Sequence, residues 1–327
     1  MTVQRKLLFV VLLAAGLLGW GCSQSEKTPA GSSSSTAAEI EPFLGRWDLT
    51  IKTPKEERPS WLEIAEGQGQ PRGLMTGFWA HATPTGKIQI NGDSIEFLPP
   101  KGVGYSDGMQ FEGKLENGQL DGTVTNSKGI AWQWIGKKAP SLRREGTPEW
   151  GKPVRLFNGR NLDNWKLRNP GPDAGWSVKH REMVKNAKSS DIISKSKYQD
   201  FKLHAEFKCE GSCNSGVYLR GRYEVQIAEP AGEGLPPNRS LGAVYGFIAP
   251  SPAATVKLGK WQSYDITLIG RTVTVVLDGQ TIINQREIPG ITGGALDSDE
   301  GDPGPIYLQG GEHGQVAFRD MVITPAK

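Results

Sequence analysis

The sequence predicts an all-β protein in which a small N-terminal β-barrel or meander precedes a larger two-sheet β-sandwich of jelly-roll type. Three observations carry this expectation. Apolar and polar residues alternate with period two along many short runs, the signature of strands rather than helices. The pairs Asn91-Gly92, Asn117-Gly118 and Asp278-Gly279 interrupt those runs, and such residues accept the positive φ of tight hairpins cheaply. The 327 residues include 42 glycines and 22 prolines beside 37% hydrophobic residues, too apolar for disorder and too rich in turn formers for a helical bundle. That length allows two domains, each with its own core. The formal charge of +3 is spread over 38 basic and 35 acidic residues, so no nucleic-acid partner is expected.

At the N-terminus, Arg5 and Lys6 precede an apolar run from Leu7 to Leu18 and then Cys22. This is the layout of a secretory signal over residues 1–21, too short to span a bilayer comfortably. Cys22 directly after the run resembles the bacterial lipobox, whose thiol takes a lipid and becomes the mature N-terminus, although Gly19 and Trp20 depart from that box. The expectation is a protein secreted across the inner membrane, periplasmic or held at the outer membrane by a lipid anchor. Loss of Arg5 and Lys6 with the signal takes the formal charge from +3 to +1. Residues 22–41, rich in Ser, Thr, Ala and Gly, read as a flexible tether. Cys209 and Cys213 are expected to close a disulfide across Gly211 in such an oxidising compartment. No second thiol pair or histidine cluster supports zinc instead.

Residues 42–138 contain the first set of runs: Trp47–Ile51, Trp61–Ile64, Lys87–Ile90, Ser94–Phe97, Met109–Phe111 and Ala131–Trp134. Gly45-Arg-Trp47 resembles the opening strand of lipocalin-like barrels, which favours a barrel here. Residues 139–152, with Pro140, Pro148 and a basic run, read as a linker with a solvated surface. Residues 153–327 resume the pattern at Phe201–Phe207, Gly216–Arg220, Tyr223–Ile227, Ser263–Ile269, Thr272–Leu277, Pro305–Gln309 and Val316–Phe318.

Gly104-Tyr-Ser106-Asp-Gly108 matches the nucleophile-elbow pattern, but a strand follows where that motif needs a helix, so it reads as a turn. No phosphate loop, dinucleotide fingerprint or H-E-x-x-H is present. The informative stretch runs from Asn214 to Ile227. With apolar side chains turned to the core, strand alternation predicts one polar patch formed by Tyr218, Arg220, Glu224 and Gln226, suited to a sugar. The competing reading is a cross-strand Arg220–Glu224 ion pair on a solvated face.

Leu156–Trp165, Tyr198–Phe201, Asn214-Ser-Gly216 with Arg220 and Tyr223–Ile227, Gly242–Tyr245, Gly259-Lys-Trp261, and Pro303–Gln309 with Phe318-Arg-Asp320 together resemble the 3-keto-disaccharide hydrolase family. The resemblance covers the second domain in the family's order. It implies a concanavalin-like jelly roll, frequent lipoprotein anchoring, and action on glycosides whose C3 hydroxyl has been oxidised to a ketone. Gln262 and Asp320 replace the asparagines common in the family at those places.

The implied chemistry is hydrolysis, or removal of the C2 proton and elimination of the C1 group. Glu224 is the expected base, His313 or Tyr245 the group assisting the leaving oxygen, and Arg220 with Gln226 or Gln309 the holder of the enolate. Asn214, Ser215, Tyr218 and Trp261 complete the expected substrate contacts. Asp297, Asp299, Glu300 and Asp302 form an acidic loop where calcium or a similar divalent cation could sit, although the spacing matches no standard loop and favours a solvated turn, and no cofactor is assigned. The alternative to an enzyme is a non-catalytic carbohydrate-binding surface lipoprotein.

Overall fold

The computed structural model describes residues 36–327 apart from 103, 106–107, 170–173, 230–233 and 312. The signal segment 1–21, Cys22 and Ser106 lie outside the described residues. The fold is all-β, as the alternation requires.

Residues 45–138 form a nine-stranded antiparallel sheet in which the first strand, Gly45–Lys52, pairs with both Glu57–Gly67 and the last strand, Ala131–Lys138. The sheet curls until its two ends approach each other. Thr85 donates to the Gly73 carbonyl beside one end, and Gly86 donates to the Leu98 carbonyl beside the other. The inward positions of the alternating runs, among them Trp47, Leu49, Ile64, Phe97, Phe111 and Trp134, fill this curl. Part of the expected tether is folded instead. Thr36 caps a helical turn, Ala37–Ile40, reciprocally with Glu39, because buried Ile40 and Phe43 join the same core.

The sandwich has an eight-stranded sheet centred on Phe201–Glu210 and Gln315–Pro325, and a five-stranded sheet. The five-stranded sheet runs Trp165–Leu167, Ile192–Tyr198, Gly304–Leu308, Cys213–Leu219 and Tyr223–Glu229 in spatial order. Asn117, Gly118, Asp278 and Gly279 all take positive φ, which gives the two hairpins their tight turns. Cys209 and Cys213 are joined by a disulfide at the mouth of the connection between the two sheets.

The chain from residue 36 onward makes one compact unit. Trp61 of the curled sheet is fully buried within the sandwich's hydrophobic cluster, edge-on to Phe247 at 5.3 Å. The 139–152 stretch is pinned too, through an Arg144–Asp200 ion pair of 2.9 Å and a bond from Arg271 to the Pro140 carbonyl.

Candidate active site

The two strands read as informative pair in antiparallel register, with Tyr218 opposite Glu224 and Gly216 opposite Gln226. Facing residues in such a pair share a side of the sheet. Val217, Val225 and Ile227 accordingly turn to the sandwich core, whereas Tyr218, Glu224 and Gln226 turn to the other face. The next strand brings Tyr307 opposite Tyr218, and their rings stack at 4.1 Å.

Glu224 is the chemical centre of this face. Its carboxyl is buried, and desolvation pushes it up to about 8, against the opposing effect of a hydrogen bond from Tyr218 and with a smaller push from Asp191. Oε1 has no hydrogen-bond partner among the described residues. Gly216 makes room for it, since a Cβ there would stand 2.2 Å from Oε1. Burial also raises the phenols of Tyr218 and Tyr307, which therefore stay protonated. Tyr307 donates to Asp191 at 2.8 Å, and Asp191 in turn faces Arg168 at 3.4 Å. Two phenol–carboxyl pairs thus lie side by side. Arg168 also donates to the carbonyls of Gly294 and Ala295, tying the 292–295 loop to the sheet.

Several expected residues meet at Glu224 and others do not. The Tyr245 amide donates to the Glu224 carbonyl, and its half-buried phenol is raised by burial and by the Glu224 charge. Gln226 spends its Oε1 on the Ile227 amide, and Gln309 keeps a buried Oε1 without a partner among the described residues, beside Asp191-bound Gly310. Asn214 lies half-buried at the end of the face, whereas Ser215 turns to the opposite side and donates to the Gln309 carbonyl.

Arg220 corrects the expectation. It has φ +52°, next to Gly221 at +70°, so the tight turn breaks strand alternation just where the side chain should have continued the Tyr218 face. Its guanidinium is buried elsewhere, donating to Tyr223 and to the Gly270 carbonyl. It neither pairs with Glu224 nor faces solvent. His313 is a second correction: its side chain is exposed, and its carbonyl accepts from Lys185 at 3.0 Å. Trp261 is a third, lying just before the Gln262–Ile269 strand of the eight-stranded sheet, between Arg319 and Lys208. In the acidic loop, Asp297 binds Arg222 while Glu300 binds Arg271 and Tyr223, so two of its carboxylates are already engaged.

Asp191, Arg168, Tyr307 and Lys185 went unassigned in the sequence. Tyr307 lies inside a family-like block, but Arg168 flanks the three-residue strand Trp165–Leu167, and Asp191 precedes Ile192–Tyr198, where the polar run Ser194–Lys197 breaks the alternation. Lys185 is fully buried in the eight-stranded sheet, where desolvation lowers it to about 8 and Asp191 partly offsets the shift.

A family model described as a 3-keto-alpha-glucoside-1,2-lyase-like domain matches residues 152–324, the segment that holds every residue of this face. The chain belongs to that family. As a lyase-like domain it is a glycoside-acting one, with a carbohydrate as substrate. No curated protein matches the chain. Among solved structures, a proposed glycosyl hydrolase from Parabacteroides distasonis is 27% identical over 55% of this chain and 93% of its own, with TM-score 0.47. A second from the same organism is 26% identical over 53% and 98%, with TM-score 0.43. The carbohydrate-binding module CBM66 from Bacillus subtilis is 12% identical over 48% and 93%, with TM-score 0.33.

Proposed function

We propose that the lyase-like domain cleaves 3-keto-glycosides or 3-keto-disaccharides by removing the C2 proton and eliminating the C1 group. The observation that carries this reading is the Glu224 carboxyl: buried, raised toward neutrality, and with Oε1 unpartnered among the described residues. A ketone at C3 acidifies the C2 hydrogen, and a general base works best when its pKa lies near the working pH. Glu224 takes the C2 proton as the C–H electrons pass into a C3 enolate. The enolate then re-forms the C3 carbonyl, a C1–C2 double bond forms, and the C1–O bond breaks. Tyr245 protonates the departing oxygen, and the Gln309 amide donates to the C3 oxygen while it carries charge. Proton return from Glu224 to Tyr245 closes the cycle, and addition of water to the double bond would complete a net hydrolysis.

The test is a 3-keto-glucoside with a chromogenic aglycone, run in heavy water. Release that vanishes in Glu224→Gln, with deuterium entering C2 of the recovered substrate or of the hydrated sugar, supports the reading. Equal cleavage of the unoxidised glycoside defeats the ketone-dependent route, and saturable binding without release makes the protein a carbohydrate-binding module instead. We also propose that residues 1–21 direct secretion and that Cys22 carries the lipid anchor of a periplasmic or outer-membrane-held protein. Membrane association unchanged in Cys22→Ala would overturn the anchor.

A further inference from the structure

The curled N-terminal sheet precedes the family-matched residues, yet one of its loops reaches the catalytic face. Phe78 accepts from the Gly294 amide at 2.8 Å, and Thr76 donates to the Ile291 carbonyl at 3.4 Å. The fit is close, since a Cβ on Gly293 would stand 2.6 Å or less from the backbone N and O of Ala80. The clamped 292–295 loop is the one whose Gly293 carbonyl accepts from Tyr218.

Between buried Phe78 and half-buried Ala80, Trp79 stays 56% exposed, the highest exposure of any large apolar residue among the described residues. Its place is fixed nonetheless. The Arg168 guanidinium lies 5.0 Å from the indole, itself held by Asp191 and two carbonyls. A Cβ on Gly294 would lie 2.5 Å from the Tyr218 hydroxyl and 3.4 Å from the indole, so Trp79 and the Tyr218–Glu224 pair flank a single glycine. Two residues on, His81 packs on Gly246 beside Tyr245, with a buried Nδ1 that has no partner among the described residues.

An indole backed by a fixed cation and more than half exposed is a surface against which the C–H face of a pyranose packs. We propose that Trp79 is a saccharide-stacking platform, so that the N-terminal sheet completes the substrate site of the lyase-like domain and selects substrates with a further sugar ring. This rests on the reading of Glu224 given above. His81 supplies a hydrogen-bonding group to that ring's hydroxyls.

The experiment uses the full chain carrying Glu224→Gln, which binds without turnover, and calorimetric titration with a 3-keto-disaccharide and its unoxidised form. Adding Trp79→Ala weakens 3-keto-disaccharide binding about ten-fold, and Trp79→Phe restores it to within about three-fold. With Glu224 intact, Trp79→Ala raises KM about ten-fold and leaves kcat within about three-fold. Affinity and KM unchanged by Trp79→Ala overturn the platform alone. If neither disaccharide binds and none is turned over by the intact chain, both the platform and the reading beneath it fall.

Discussion

The Tyr218 hydroxyl stands 2.9 Å from Glu224 Oε2 and 2.7 Å from the Gly293 carbonyl, two acceptors facing one phenolic proton. Both contacts are satisfied together only when Glu224 itself carries a proton and donates to the phenol oxygen. The ionised carboxylate instead accepts the phenolic proton, which lowers the Glu224 value against the larger, raising effect of burial. When Glu224 ionises, Tyr218 can turn its proton to it. The carboxyl is thereby held between two states at a pH where both are populated.

The pH profile follows from this. A base with a pKa of about 8 is active when ionised, so kcat/KM for a 3-keto-glycoside rises with pH, has its midpoint near 8, and levels above it. The Tyr218 hydrogen bond lowers the Glu224 value, so Tyr218→Phe moves the midpoint upward. Rates of chromophore release between pH ~6 and ~10 test both statements. An unshifted midpoint would detach Tyr218 from the titration.

Glu224→Gln keeps the shape of the side chain and removes the base. The expected fall in kcat is on the order of 10²- to 10⁴-fold, with the melting temperature at alkaline pH no lower than that of the unaltered chain. A collapse of melting temperature would mean that the residue holds the fold rather than the chemistry.

Gly216→Ala places a methyl group where Glu224 Oε1 now lies, 2.2 Å from the new Cβ. Overpacking of this kind costs about 1–3 kcal/mol of stability. Because the displaced group is the catalytic carboxyl, activity falls by more than the stability loss explains, as kcat measured well below the melting temperature would show.

Asp48 in the curled sheet is buried beside Glu300, and burial followed by the Glu300 charge raises its carboxyl to about 9. The native state then keeps a proton that the unfolded chain releases near the ordinary value of 3.8. Its stabilising contribution is full below that value and is lost as pH rises toward about 9. Asp48→Asn flattens this dependence and raises the melting temperature at pH ~8 by about 2–4 °C. Thermal melts of both chains across the range supply the check, and parallel curves would refute the assignment.

The expected hairpins fall where Asn117-Gly118 and Asp278-Gly279 stand, and the alternating runs at Trp47–Ile51 and Phe201–Phe207 lie within strands. Short strands such as Trp165–Leu167 and Glu182–Lys185 left no such trace, because three or four residues hold too little alternation to register. The polar face was legible in part. Tyr218, Glu224 and Gln226 share it because their register follows from period two, but Arg220 leaves it at a positive φ that its residue type does not announce.

The sequence alone determined the all-β class, the hairpin turns and the side of the sheet on which Glu224 stands, since alternation and turn preference act between near neighbours in the chain. Tertiary structure decided what surrounds that carboxyl: Asp191 with Arg168 from the sheet's far edge, Gly293 from a loop, and Trp79 from the other sheet. Proton affinity depends on how much water is excluded and which charges remain close, and segments far apart in the chain set both only once they are packed together.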